Sequence, residues 1–389
     1  MNKSILFNEF ATRQHLKTLE KIYKTLPDPD KILSENNYDY SILRDLLNDP
    51  HLMSTVQQRK MQVMQMGWEV DYEHDEKIKE RVLELFRQLP LGEIISDMLD
   101  AIFYGYAVSE ITWKEKAKEI IPQSIVGKPQ EWFIFDYENN LRLRKQVNGS
   151  YMFEEGELLP PYKFILTQHK PTFINPYGEK ILSRCYWPII FKRAGVEFWQ
   201  MMMERFGMPY LIGRYPNTFT PEQKDEFLDQ LKQMIEDNVT IFEENLGIEL
   251  KENPKYEIGQ LYEKLVSFHN KEISKAVLTV TLTTEIENTG SYKAAEIHKE
   301  MLSYLGISDK KLVEKGLNKL IEYFCQLNFG NIPTPRIKLT KKEAVVEQTA
   351  ERDKILSEIG IKFTKEYFKK RYNLSDKDFE LIENGKREK

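Results

Sequence analysis

From residue 179 to residue 206 the chain reads EKILSRCYWPIIFKRAGVEFWQMMMERF, and few folds can accommodate such a segment. Its residues predict one long helix, interrupted or kinked at Pro188, whose ring removes a helical hydrogen bond and crowds the preceding turn. On that helix Arg193, Glu197, Gln200 and Glu204 recur at i, i+4, i+7 and i+11 and make one narrow polar stripe. Nearly everything else is apolar, and a helix with so thin a wet stripe is packed on several sides. Lys192 and Arg193 stop the best apolar run, Cys185 to Phe191, far short of the roughly 18 uncharged residues that a membrane span needs.

A second helical period, YEIGQLYEKLVSFHNKEISKAVL, follows at 256–278, with Ile258, Leu261, Leu265, Phe268, Ile273 and Val277 in phase. At about 1.5 Å per residue both helices are roughly 30 to 40 Å long. Between them lies a small insert. Tyr210 to Tyr215 reads as a strand, and Thr220-Pro221-Glu222-Gln223 is a capping box that opens an amphipathic helix to about Asn238. VTIFEE and IELKE read as two further strands. Two long helices joined at one end by a βαββ module predict an elongated molecule.

The flanking regions are plainer. Residues 1–66 read as helical, with Asp49-Pro50 as a helix start. From Gly67 onward GWEVDY, YAVSEITWK, EWFIFDY, LRLRKQV, SYMFEE and KFILTQH are short, aromatic and β-branched, with one helix at about 92–103. Asn148-Gly149 between two such runs predicts a type I′ hairpin, since both central residues need positive φ. Residues 67 to 170 therefore read as an α+β unit dominated by an antiparallel sheet. After 278 comes a polar, Thr-rich loop, then a helix at SYKAAEIHKEMLSYL, a further helical segment to about Phe329, and a charge-dense helical region beyond Pro335.

The chemistry that a chain of 389 residues could carry is hard to find here. The net charge of −5 does not advertise a nucleic-acid binder held by phosphate neutralisation. Two cysteines, Cys185 and Cys325, exclude a disulfide framework and predict small buried hydrophobes in a reducing compartment. No nucleotide-binding, nucleophile-elbow or zinc-protease motif occurs. Glu296, His298 and Glu300 are two apart on a helix and so diverge. No residue is expected to be catalytic, and no cofactor or metal site is expected. The Met201-Met202-Met203 run cannot face one partner, so it is either adaptable core filler or packing against a neighbouring subunit.

Three stretches carry a resemblance: DPHLMSTVQQRKMQVMQMGWEV, NPYGEKILSRCYWPIIFKRAGVEFWQMMMERFGMPYLIGRYP and LTVTLTTEIENTGSYKAAEIHKEM. In sequence and order of elements the chain, from about residue 40 to 330, resembles the Mu-like phage portal proteins. The middle stretch is the most specific, through Trp187, Lys192, Trp199, Glu204, Arg205, Gly207 and Pro209.

The resemblance implies an α+β portal fold. Its parts would be a helical segment 1–66, a wing 67–178, a first stem helix 179–206, a clip 207–255, a second stem helix 256–278, a tunnel loop and helix 279–330, and a helical 331–389 as a reduced crown or tail. It implies a homo-oligomeric ring, a dodecamer, at one capsid vertex of a virion assembled in the host cytoplasm. The implied partners are the terminase large subunit, the major capsid and scaffold proteins, head-tail connector proteins, and double-stranded DNA passing non-specifically, with no membrane. Thr281, Thr283, Thr284, Glu285 and Asn288 would face that DNA, and Trp199, Met201, Met202, Met203 and Phe206 would lie between stems. The rival readings are a metal-dependent nucleic-acid enzyme with dispersed carboxylates, and a non-portal adaptor or scaffold of a phage-derived particle.

Overall fold

A computed structural model describes residues 25–145, 156–206, 210–214, 218–237, 247–251, 255–280, 292–340 and 347–372. The chain divides into two compact units, 1–64 with 69–339, and 65–68 with 340–389. After β1 (Thr25–Leu26) come three helices, α1 (Lys31–Glu35), α2 (Ser41–Leu46) and α3 (Pro50–Met64). Asp49 starts α3 as its sequence predicts: its Oδ1 accepts from the amides of His51 and Leu52, both at 3.0 Å. This satisfies donors that a helix start leaves open.

The β-rich region holds β2 (Gly67–Asp71), α4 (Glu76–Gln88), α5 (Leu91–Tyr104), β3 (Tyr106–Lys116), β4 (Glu119–Lys128), β5 (Phe133–Asp136), β6 (Leu141–Leu143), β7 (Glu157–Leu158) and β8 (Phe164–Gln168). Two antiparallel sheets form, in the orders β4-β3-β8 and β1-β5-β6-β7. The sequence reading overlooked α4, although Asp75 caps it by accepting from the Lys77 amide at 2.9 Å. Asn148 and Gly149 lie outside the described residues. Tyr106, Phe135 and Tyr177 pack edge to face at 4.9 to 5.8 Å and close the core between the sheets. Such pairs add roughly 0.5–1.5 kcal/mol beyond area burial.

The second half carries the long helices: α6 (Ile181–Phe206), β9 (Tyr210–Arg214), α7 (Pro221–Asp237), β10 (Gly247–Lys251), α8 (Lys255–Leu278) and α9 (Tyr292–Phe329). Helix α6 stays helical through Pro188, so the proline interrupts a hydrogen bond and not the helix. The capping box is present: Gln223 Oε1 accepts from the Thr220 amide at 2.9 Å, and Thr220 Oγ1 from the Gln223 amide at 3.4 Å. Strands β9 and β10 pair antiparallel, while VTIFEE lies outside the described residues. Helix α9 corrects the reading of two segments, since its 38 residues run unbroken through Gly306 and Gly316. Gly316 is where α9 meets α5 and β8: a β-carbon there would sit 2.9 Å from Met98 Sδ and from Thr167 Cγ2.

β11 (Arg336–Thr340) follows, then α10 (Glu347–Glu358) and α11 (Lys365–Tyr372). A second correction concerns GWEVDY. Strand β2 pairs with β11 and not with the sheets that follow it in sequence, and Lys338 Nζ sits 2.7 Å from Asp71. In the smaller unit Asp353 is buried and accepts from the hydroxyls of Tyr367 at 3.0 Å and Tyr372 at 2.8 Å. Burial opposes ionisation of Asp353, but the hydrogen bonds from Arg352 and both tyrosines hold its carboxyl below the usual range.

Candidate functional site on the paired helices

The pairing of α6 with α8 is built around Gly195. A β-carbon at that position would lie 2.6 Å from Leu265 Cδ2, so the absence of a side chain lets the helices approach. One turn further along α6, Trp199 stacks on Tyr262 at 6.3 Å with the rings 3° from parallel. One turn back, Lys192 Nζ donates to Asn270 at 2.7 Å and pairs with Asp49 at 2.7 Å. Burial works against the charged Asp49 carboxyl, yet Lys192 and the amides of Leu52 and His51 keep it below its ordinary value.

Two further links fasten this pair to α3. His51 Nε2 meets Ser274 Oγ at 2.8 Å. Arg59, itself buried, donates to both carboxylate oxygens of buried Asp309, at 2.8 and 3.0 Å, and to the Val277 carbonyl at 2.7 Å. A desolvated ion pair survives only when its remaining hydrogen-bonding capacity is filled. Here the third donor is spent on the last turn of α8, where carbonyls lack helical partners.

What the pair leaves outside is apolar. Trp187, Phe191, Phe198 and Met201 are 48% to 58% exposed. At about 100° per residue they fall within a sector of roughly 80°. With Ala194 they keep the 4-3-4-3 spacing of a helix-packing seam. Trp187 stacks on Phe191 at 5.5 Å, Phe191 approaches His269 at 6.2 Å, and His269 meets Phe268 at 5.3 Å. The exposed Phe268 of α8 therefore joins the same face, and Leu261, one heptad before it, extends the face. Burial lowers the His269 pKa, helped by nearby Lys192 and opposed by Glu272. The polar stripe stands about a third of a turn away and exposes Glu197, Gln200 and Glu204.

The residues named from sequence are distributed unevenly over this geometry. Met201 lies on the apolar face, and Met203, 60% exposed, points to a different side of α6. Met202 is half-buried, and Trp199 faces Tyr262 within the chain, its Nε1 buried without an acceptor among the described residues. The Phe206 side chain and Thr281, Thr283, Thr284, Glu285 and Asn288 lie outside the described residues. Trp187, Phe191, Phe198, Leu261 and Phe268 were missed. The spacing of Trp187, Phe191 and Phe198 is hidden in a helix that reads as apolar almost all round, while Leu261 and Phe268 were read only as part of the apolar period of α8.

Among the described residues no three His, Cys, Asp or Glu side chains converge as a metal site, and no helix is long and apolar enough to cross a membrane. A family model described as "Portal protein of Mu bacteriophage" matches residues 40–374. The chain belongs to the Mu bacteriophage portal protein family.

Within this portal family, the portal protein of Escherichia phage Mu is 24% identical over 283 residues, covering 71% of this chain and 54% of that protein. The Mu-like prophage FluMu protein gp29 of Haemophilus influenzae is 22% identical over 291 residues, with the same coverage. The chain thus spans about half the length of these curated relatives. Among solved structures, the neck of a native gene transfer agent particle computed with C12 symmetry matches with a TM-score of 0.63. The identity is 11%, over 93% of this chain and 98% of that one. The neck of an empty particle, computed with C6 symmetry, gives 0.61 at 12% identity, over 84% and 92%. These likenesses show a shared α+β fold.

Proposed function

We propose that this chain is a portal subunit that assembles into a closed ring at one capsid vertex, and that DNA is packaged and released through the ring's channel. The observation that carries the proposal is the apolar face of α6 and α8 in a chain whose family match extends over residues 40–374. Large apolar side chains exposed in a contiguous patch mark an interaction surface. Six such side chains supply several hundred Å² toward the roughly 800 Å² per partner of a standard interface.

In this reading residues 67–178 form the wing, α6 and α8 the stem helices, 207–255 the clip, and 279–330 the tunnel loop and helix. The terminase large subunit, capsid and scaffold proteins and head-tail connectors dock on the ring. The mild acidity suits a conduit, because each phosphate neutralised by Lys or Arg adds affinity that translocation must break. The protein acts mechanically, without a catalytic residue.

Native mass spectrometry with negative-stain imaging of the full chain tests this. The expected result is a closed ring with an open channel, of twelve copies if it follows the symmetry of the C12 neck. Phe198→Ser with Met201→Ser shifts the population toward monomer while leaving the monomer folded. A wild-type chain that stays monomeric even with its capsid proteins overturns the proposal.

A further inference from the structure

The loop from His169 to Lys180 presents two apolar side chains on a rigid support. Phe173 is 51% exposed and Ile174 is 81% exposed, the highest value among the large exposed apolar residues described. Their backbone is fixed on both sides. The Asn175 amide donates to Thr172 Oγ1 at 3.0 Å, the Thr172 amide to the Asn175 carbonyl at 3.0 Å, and Asn175 Nδ2 to the Gly178 carbonyl at 2.9 Å. Gln168 Nε2 donates to the Pro176 carbonyl at 2.7 Å.

The neck of the loop is equally constrained. Gly105 and Gly178 both have positive φ, +88° and +75°. A β-carbon on Gly178 would lie 2.4 Å from the Gly105 carbonyl oxygen, so the chain crosses itself where only glycine fits. Just beyond, Lys180 and Asp28 form an ion pair at 2.8 Å with both side chains almost fully buried. A loop so well fastened loses little freedom when it docks, which favours binding through it.

We propose that Phe173 and Ile174 form a knob that inserts into the neighbouring copy of this chain in the ring, an inference that rests on the portal reading above. The size of the knob selects the occupant. It exposes on the order of 250 Å² of apolar surface, far below the roughly 800 Å² per partner of an independent interface. Its occupant must therefore already be held beside it by a larger surface. A surface of that kind is the apolar face of α6 and α8, on the helix that begins seven residues after Ile174 (position 181 against 174). A ring of more than two copies meets head to tail, so a knob on one edge finds a different patch on the next copy.

The test uses the full chain. The double variant Phe173→Ser, Ile174→Asn keeps the wild-type monomer unfolding curve and raises the ring-to-monomer midpoint concentration at least tenfold. In parallel, the photoreactive residue p-benzoyl-phenylalanine at position 174 cross-links assembled rings into covalent dimers of this chain. An unchanged midpoint, or cross-links that go to another particle protein, overturns the knob while leaving the ring reading intact. A wild-type chain that forms no ring overturns both, and that outcome is visible before any variant is made.

Discussion

Arg59 grips Asp309 across 250 residues of sequence with two hydrogen bonds, and its third reaches the end of α8 at Val277. Removing one partner strands a buried charge. Arg59→Ala is therefore expected to cost about 3–5 kcal/mol of unfolding free energy, read from urea denaturation. Arg59→Met combined with Asp309→Leu is expected to recover most of that loss, because no charge then remains to be desolvated. If the double variant is as unstable as the single ones, the ion pair is worth more than its apolar replacement.

Gly195 is the second point of leverage. Gly195→Val forces Leu265 aside, and overpacking of this kind costs about 1–3 kcal/mol. Adding Leu265→Ala opens the space that the valine needs. A double-mutant cycle should then show a favourable coupling between the two sites. Strict additivity would mean that the helices separate rather than repack.

His269 makes the helix pair sensitive to acid. Its folded pKa lies below the ordinary 6.5, chiefly through burial. The unfolded chain therefore takes up this proton first. The stability that neutral His269 contributes is complete above about pH 6.5 and is lost as the pH falls through that value toward the lower folded pKa. Thermal unfolding of wild type and His269→Gln between pH 5 and 8 checks this. The difference between them should shrink on acidification, and parallel curves would count against it.

Both thiols are silent in the folded state. Cys185 and Cys325 are fully buried, and burial pushes their pKa values up to about 12 and about 11. Since the thiolate is the reactive form, iodoacetamide at pH 8 should label neither in native protein and both in urea. Rapid labelling of the native chain would show that α6 or α9 opens locally.

Much of the architecture could be read in the sequence because its signals are local. The Thr220–Gln223 box, the Asp49-Pro50 start and the apolar periods of α6 and α8 each follow from residues within a turn or two of one another. What could not be read depended on distance. Strand β2 finds its partner in β11 more than 260 residues later, and only the fold brings Lys338 to Asp71. Helix α9 reads in sequence as two segments, and its unbroken course rests on distant contacts such as those of Gly316 with Met98 and Thr167. The apolar face suffered the opposite problem: α6 offered too many apolar residues, and the contacts with α8 were needed to show which were spoken for.

Helix α9 is also a lever. Near its far end Asn328 clasps Ile120 of β4, accepting from its amide at 2.7 Å and donating to its carbonyl at 2.8 Å. A few residues before, Tyr323 reaches the Phe164 carbonyl at 3.1 Å. At about 1.5 Å per residue the 38 residues of α9 make a rod of roughly 57 Å. The rod is riveted to the sheet at one end and to Arg59 near its middle. A sideways force applied at Tyr292 is thus delivered as torque at the sheet, with Asp309 as the fulcrum.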